Sequence, residues 1–586
     1  MKVYIAKKAG FCMGVRRAVD LTINLVNREG GDISTYGPLI HNPQVLTVLK
    51  DKGVGVLRKV PDKSSTPGTV IIRAHGIPPA EKEALQDAGL QVKDATCPRV
   101  LKVQAIIRRH RKLGMTTVII GDRNHAEVEG LMGYAGPDCQ VVSNEADAEA
   151  LHLDGAYIIV SQTTQDELSF NRLCRIIQDK YPGGLVFSTI CDSTHKRQHE
   201  VRKLCQTVDA LVVVGGRASA NTKRLAEIAS EMGKEVFLIE TESEIDPDIM
   251  NAFKRVGVTA GASTPTWMIN RVVRTLEAIP CHGDNPLRAF TFRVMRWLMA
   301  SNLYVAAGGG IMTGACCLLQ GITPTWQLMV IAFGYLFAMH NLNRITDQRA
   351  KVFNDPVLMN FYINNRNVFF LSSITALVTS LAIGWMEGGG PFILLLIMSI
   401  FGTLYSVKFI PPSMTGLLKV KMLKEIPGSK TVFVALAWAL VLAVLPAMSQ
   451  GGITPLTITV FVFILLLVMV RNAVFDLFDL QGDRIVGKET VPVLIGFCNT
   501  MILLKIIMAI LFIMSLVSTS VGLMIRPYGY LLLPGLVYLF LFLVFYEKGY
   551  YTPGVRLEFA LETAFIITGA SIWLGMLLLN GYNTNL

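Results

Sequence analysis

The chain has 586 residues, of which 51% are hydrophobic and 17% charged, with a formal net charge of +11. Its mean hydropathy of +0.44 is high for a protein living wholly in water, and the excess belongs to the second half. Nucleic acid is excluded as the reason for the positive charge: basic residues of the second half gather in alternate loops, and no basic-aromatic platform accompanies them. The ten cysteines are scattered, with Cys316 and Cys317 inside an apolar run, which excludes a secreted disulfide framework and predicts a reducing cytoplasm around the first half. The first residues read as a lysine-bearing strand, so no signal peptide is expected.

In chain order, Val3-Tyr4-Ile5-Ala6 reads as a buried strand, and Val15 to Val26 carries apolar residues at helical spacing. Between them, Ala9-Gly10-Phe11-Cys12-Met13-Gly14 puts Cys12 at a glycine-flanked strand-to-helix turn. The arrangement returns at Asp94-Ala95-Thr96-Cys97-Pro98 and at Ser188-Thr189-Ile190-Cys191-Asp192. A thiolate at such a turn faces backbone N–H groups and the positive end of a helix, which suits an anionic metal cluster or a phosphate. A buried structural cysteine is the alternative reading. No C-x-x-C knuckle marks a zinc site. Three thiolates on an iron–sulfur cluster leave one iron open to a substrate oxygen.

Strands and helices alternate to about residue 290, through Val70-Ile71-Ile72, 117–120, 157–160 and 210–214. Such alternation predicts parallel sheets with ligands at the carboxyl ends of strands. The polar residues of interest fall there: His41, His75, His125 with Glu127, Thr163, Ser219 with Asn221, and Ser263. Each alone reads as a capping or surface residue. Together they form a donor-rich pocket suited to a diphosphate, with one carboxyl placed to deliver a proton. Gly215-Gly216 is not a G-x-G-x-x-G fingerprint, so no nucleotide cofactor is expected.

The motifs Ala-Gly-Phe-Cys12, Ala-His75-Gly, Asp-Ala-Thr-Cys97-Pro, His125-Ala-Glu127-Val-Glu-Gly, Ser-Gln-Thr163-Thr and Thr-Ala-Gly-Ala-Ser263 resemble those of the 4-hydroxy-3-methylbut-2-enyl diphosphate reductase (LytB) family over residues 1–280. The resemblance implies a trefoil of three α/β units around a [4Fe–4S] cluster held by Cys12, Cys97 and Cys191. It implies reductive removal of the substrate hydroxyl to give isopentenyl and dimethylallyl diphosphates, with ferredoxin or flavodoxin as external electron donor. His41, His75, His125, Ser219, Asn221 and Ser263 would bind the diphosphate, Glu127 would deliver the proton, and Thr163 would orient the hydroxyl or proton relay. One departure is Ala220, where the family commonly has a second serine; one hydroxyl donor is missing, a loss of about 1.5–3 kcal/mol for a bond to a charged group.

Ala278 to Pro286 is a Pro/Gly-bearing break, with a linker expected over 281–296. Beyond it lie nine expected spans, at about 297–319, 325–343, 367–385, 391–409, 431–448, 453–471, 500–521, 527–546 and 558–580. Loops after the even-numbered spans hold nearly all the lysines and arginines, so the positive-inside rule predicts them to be cytoplasmic, on the side of the amino-terminal half, with the carboxyl terminus outside. Asp476, Asp479 and Asp483 share one helical face at the end of a span, where carboxylates are costly unless they bind a cation; they suit Mg²⁺ carrying a diphosphate, and a solvated helix end is the alternative. A second loop offers Asn343 and Asp347, then Lys351.

The segment from Asp476 through Gly487-Lys488-Glu489-Thr490-Val491-Pro492, with the nine spans and a Lys-rich loop, resembles the UbiA-type intramembrane prenyltransferases. That implies Mg²⁺-dependent transfer of a prenyl group from a diphosphate to an aromatic or lipid acceptor. The first acidic motif departs from Asn-x-x-x-Asp-x-x-x-Asp by placing Lys351 at the third position, where the lysine itself or Asp355 beyond it would contact the diphosphate. The expected protein is a bifunctional isoprenoid enzyme of the bacterial inner membrane, with isoprenoid diphosphates and the lipid bilayer as partners. The alternatives are a reductase with a non-catalytic membrane anchor, and a transferase with an iron–sulfur redox sensor.

Overall fold

The computed structural model describes residues 1–29, 32–61, 68–280, 286–346, 355–406, 428–551 and 554–583. It divides into two units, Met1–His282 and Gly283–Leu586.

The first unit is built from three four-stranded sheets, all parallel. Its strands are β1 (Lys2–Ile5), β2 (Ile33–Tyr36), β3 (Gly55–Leu57), β4 (Thr69–Ile72), β5 (Gln91–Asp94), β6 (Thr116–Ile120), β7 (Gln140–Val142), β8 (Tyr157–Ser161), β9 (Leu185–Val186), β10 (Ala210–Val214), β11 (Glu235–Ile239) and β12 (Arg255–Ala260). The sheet orders are β1-β12-β10-β11, β3-β2-β4-β5 and β7-β6-β8-β9. Inner strands are apolar on both faces because helices cover both. In β10, Val212 and Val214 join one core while Leu211 and Val213 join the opposite one, the two-residue period of a strand. In β6, Val118 and Ile120 part from Ile119 in the same way.

Each sheet carries one cysteine in the loop after an edge strand: Cys12 after β1, Cys97 after β5, Cys191 after β9. Each cysteine N–H donates to a carbonyl just past the neighbouring inner strand: Cys12 to Ala262 (3.1 Å), Cys97 to Ala74 (2.9 Å) and Cys191 to Thr163 (2.9 Å). Each is followed at once by a helix, Met13–Glu29, Pro98–Arg111 or Asp192–Cys205. The three turns expected from sequence are therefore one structural device used three times.

Among the described residues the second unit is helical, around a large apolar core with a smaller cluster at Ile345, Tyr362 and Phe369. Among the described residues seven helices are long and apolar enough to cross a membrane: Leu303–Gln320, Arg366–Met386, Thr431–Ser449, Pro455–Phe478, Phe497–Ser520, Tyr530–Glu547 and Val555–Leu578. The other two expected spans are also helices, but with different character. Trp326–Thr346 is long enough, yet Gln327, His340, Asn341 and Asn343 dilute its apolar content. Gly389–Ser406 is a helix whose described side chains, Gly389–Thr403, form an apolar run. Pro286–Ala300, within the expected linker and beyond, is a further helix.

Deep in this unit Arg471 and Glu562 form a buried ion pair, with Nε of Arg471 2.9 and 3.0 Å from the two carboxylate oxygens. The guanidinium also donates to Asn472 (2.9 Å) and lies against the rings of Trp438 and Phe475. Burying either charge alone is expensive. Glu562→Ala is expected to cost about 3–5 kcal/mol, read as a lowered unfolding midpoint in detergent, and Arg471→Met with Glu562→Leu to recover most of it.

Candidate functional site

Loops from all three sheets meet around three histidines. His41 follows β2, His75 follows β4, and His125 opens the helix Ala126–Ala135 after β6. Their ring centroids are 4.6 Å (His41 to His75), 5.7 Å (His41 to His125) and 5.5 Å (His75 to His125) apart. The first sheet contributes Ser263, whose hydroxyl lies 3.1 Å from the His41 carbonyl and 3.5 Å from Ser219 Oγ. Gly216 explains the glycine pair: a Cβ there would stand 2.7 Å from the His41 carbonyl oxygen, so the close approach requires glycine. Asn221, in the first turn of the helix Ala220–Glu231, accepts from Thr194 Oγ1 at 3.4 Å.

Burial sets the charge of this pocket. Desolvation lowers the His41 pKa, pushes His125 down to about 4 and carries His75 well below the usual histidine value. Arg73, one residue before Ala74-His75, adds to all three shifts; its own head group donates to the Gly76 carbonyl (3.2 Å) and lies 3.6 Å from Glu129. All three rings are therefore neutral at pH 7. His125 Nδ1 accepts the Glu127 N–H at 3.2 Å, which leaves its proton on Nε2 as a donor. His41 Nε2 and His75 Nδ1 are buried with no hydrogen-bond partner among the described residues. The three histidines offer ligand atoms within 4.8 Å of one another. A cation would nevertheless have to displace the His125 proton, whereas an anion would accept it, so the pocket suits a diphosphate better than a metal.

Glu127, also buried, accepts from the Thr163 N–H at 2.7 Å and the Thr163 hydroxyl at 2.9 Å. Desolvation outweighs both bonds and raises its pKa from the ordinary 4.5 to about 7. The folded carboxyl keeps its proton to about pH 7 while the unfolded one releases it near 4.5. Folding accordingly becomes less favourable as pH rises between those values.

The three cysteines are close enough to influence one another. Burial raises the Cys97 thiol pKa, and the neighbouring Cys12 and Cys191 thiolates push the same way against the amides of Arg99 and Val100. Their sulfurs are nonetheless not drawn within 4.8 Å, unlike the histidine nitrogens. A single zinc with bonds of about 2.3 Å needs sulfurs within about 4 Å. The donor set fits a multi-iron cluster better than one ion. Gly14 is required beside it, since a Cβ there would lie 2.4 Å from Cys97 Sγ. Sequence reasoning missed Arg197, buried, whose guanidinium donates to Lys8 O (2.8 Å), Ser193 Oγ (2.8 Å) and Gly10 O, and which feels the charges of Cys12 and Cys191. Its place in the basic run after Cys191 was the available signal; the bonds back to the Cys12 loop were not legible.

In the second unit Asp476 ends the helix Pro455–Phe478 and accepts from Thr431 Oγ1 at 2.9 Å. Asp479 stands at the junction with the helix Leu480–Val486, which contains Asp483, and the backbone bonds Asp479 to Phe475 and Asp483 to Asp479 keep the helical register. Asn343 lies on the helix Trp326–Thr346; Asp347 and Lys351 lie outside the described residues. Asp355 caps the helix Pro356–Asn364 through the Leu358 N–H (3.0 Å).

Residues 3–277 match the family described as LytB protein, and residues 362–560 match the UbiA prenyltransferase family. The chain is 43% identical over 287 residues to the 4-hydroxy-3-methylbut-2-enyl diphosphate reductase of Solidesulfovibrio magneticus, covering 47% of this chain and 100% of that protein. Among solved structures, the E-1-hydroxy-2-methyl-but-2-enyl-4-diphosphate reductase from Plasmodium falciparum is 26% identical, with a TM-score of 0.46 over 50% of this chain and 98% of that one. A UbiA homolog from Archaeoglobus fulgidus bound to GPP and Mg²⁺ is 18% identical, with a TM-score of 0.37 over 48% and 99%.

Both Thr163 bonds hold the Glu127 pKa down. Thr163→Val removes the hydroxyl and should raise it by about one to two pH units, since a bond to a charged acceptor is worth about 1.5–3 kcal/mol. The protonated-carboxyl infrared band, absent in Glu127→Gln, reports the midpoint.

Proposed function

The chain belongs to the 4-hydroxy-3-methylbut-2-enyl diphosphate reductase family through residues 3–277 and carries a UbiA prenyltransferase domain over residues 362–560, and on this basis we propose a bifunctional, multi-pass membrane enzyme of isoprenoid synthesis. The observation that carries the reductase reading is the meeting of neutral histidines with the Glu127 carboxyl, its pKa raised to about 7, in a unit whose three equivalent turns each present a cysteine.

In this reading His41, His75, His125, Ser219, Asn221 and Ser263 hold the substrate diphosphate. Neutral N–H and O–H donors satisfy its oxygens without an obligatory metal. Thr163 orients the substrate hydroxyl and keeps Glu127 aimed at it. Cys12, Cys97 and Cys191 would hold a [4Fe–4S] cluster, which supplies the electrons and a Lewis-acidic iron for the hydroxyl. Glu127 delivers a proton as the C–O bond breaks and the hydroxyl leaves as water. Two electrons from an external donor such as ferredoxin or flavodoxin, with a second proton, balance formation of the isopentenyl or dimethylallyl product. With a pKa of about 7 the carboxyl is half protonated at neutral pH, matched to that task.

For the membrane half we propose Mg²⁺-dependent transfer of a prenyl group to an aromatic or lipid acceptor. Asp476, Asp479 and Asp483 would hold metal, Asn343 and Asp347 would contribute less, and Lys351 would pair with phosphate as a point charge. The basic loops, and the reductase half with them, would lie on the cytoplasmic side.

Anaerobically purified protein should be brown and hold about four irons per chain. Replacing Cys12, Cys97 or Cys191 by serine should bleach it, and a colourless zinc-loaded wild type would sink the reading. Glu127→Gln should keep the colour and bind the hydroxymethylbutenyl diphosphate while losing most turnover, about 10²–10⁴-fold for a lost proton donor. Membranes given labelled polyprenyl diphosphate and a lipid extract should form a new prenylated lipid with Mg²⁺ present. Asp479→Ala should abolish that product and Lys351→Ala should weaken donor binding; transfer untouched by Asp479→Ala would remove the metal site from this segment.

A further inference from the structure

The helix Pro286–Ala300 opens the second unit but does not belong to its apolar core. One side packs inward: Met299 is buried, and Phe292 lies under the Arg556 guanidinium at 5.0 Å. The opposite side carries Leu287, Phe290, Val294 and Trp297 at spacings of three, four and three, one continuous stripe on a helix. These four side chains are 68%, 60%, 38% and 53% exposed. Arg293 borders them and Arg288 and Arg296 lie further round the helix, which has no carboxylate, and Arg556 adds positive charge with Glu558 the acidic residue of its own first turn.

The helix ends at a built elbow. Asn302 is left-handed, with φ 61°, so the spanning helix Leu303–Gln320 does not continue the same axis. The joint is gripped from two other helices. The Ala300 carbonyl accepts from Tyr362 Oη (2.8 Å) and Arg344 (3.0 Å), and the Ser301 carbonyl from Asn341 (3.3 Å). Asn302 Nδ2 donates to Asn341 (2.8 Å) and Tyr362 (2.9 Å). A free hinge would not need this network. The chain turns at a fixed corner from a positively charged amphipathic helix directly into a span.

We infer that Pro286–Ala300 lies in the plane of the bilayer, its stripe in the headgroup–acyl boundary, and that its arginines select anionic lipid. Two features name the occupant. The stripe is continuous along the chain with a helix long and apolar enough to cross the membrane. The charge on this helix is of one sign, complementary to anionic headgroups. Trp297 fits the same boundary, where an amphipathic ring is favoured. The helix would thus anchor the start of the membrane unit laterally and gather acidic lipid around it.

The test uses the full chain in nanodiscs, with Trp297 fluorescence isolated by subtracting the Trp297→Phe variant. Lipids brominated close to the headgroup should quench it more strongly than lipids brominated near the chain ends. In mixed discs, brominated phosphatidylglycerol should quench several-fold more than brominated phosphatidylcholine at equal fraction. That preference should fall toward parity when Arg288→Gln and Arg293→Gln are combined, and should also fall in high salt. Trp297 untouched by either lipid would mean that protein covers the stripe, whether a second copy or another part of this chain, and would overturn the inference. Strongest quenching by the deep bromines would overturn the in-plane placement. Equal quenching by the two headgroups would overturn the lipid selectivity.

Discussion

Three hydrogen bonds of one kind organise the first unit: the N–H of Cys12, Cys97 and Cys191 each donates to a carbonyl at the end of the adjacent inner strand. The bond fixes where the chain leaves the sheet and forces the following helix to begin at the cysteine. Because every sheet is parallel with covered faces, all strand ends of one sheet open on the same side, the place where such sheets offer backbone groups and loops to a ligand. The histidines, Glu127, Thr163 and the serines sit on loops of the inner strands next to those cysteine loops. One constraint repeated three times therefore places both a thiol set and a polar pocket.

The pocket's electrostatics come from removing water rather than from adding charge. Desolvation leaves the histidines neutral and Glu127 protonated up to about pH 7, two outcomes of one cause acting on groups of opposite type. Permanent positive charge stands behind the pocket, Arg73 beside the histidines and Arg197 beside Cys12 and Cys191. Both guanidiniums are tied to backbone carbonyls, so their charge stays in place while the neutral donors do the contacting.

The membrane unit solves a different solvent problem. Several of its buried polar groups are satisfied by one another, as in the Arg471–Glu562 pair and the Asn302–Asn341–Tyr362 elbow, because lipid offers no hydrogen bonds. Asp476 is drawn in by Thr431, and Asn472, next to Arg471, donates to the Thr431 carbonyl. The buried ion pair and the acidic segment thus share one helix and one neighbour.

Sequence alone determined the local matters. Strand periodicity located β4, β6, β8 and β10, glycine and cysteine marked the turns, and apolar length marked most of the spans, because each of these signals is carried by residues close together in the chain. It also pointed to the candidate polar residues, from His41 to Ser263 and from Asp476 to Asp483. Where length and polarity pull against each other the signal weakened: Trp326–Thr346 is a helix whose asparagines and histidine belong to protein contacts, as Asn341 at the elbow shows. Only the tertiary structure decided that β2 and β6, in different sheets, bring His41 within 5.7 Å of His125, that Glu127 faces Thr163 across 36 residues, and that Arg197 reaches back to the Cys12 loop. It also decided the protonation of that site. Burial is a sum over neighbours from the whole unit, and no local pattern contains that sum.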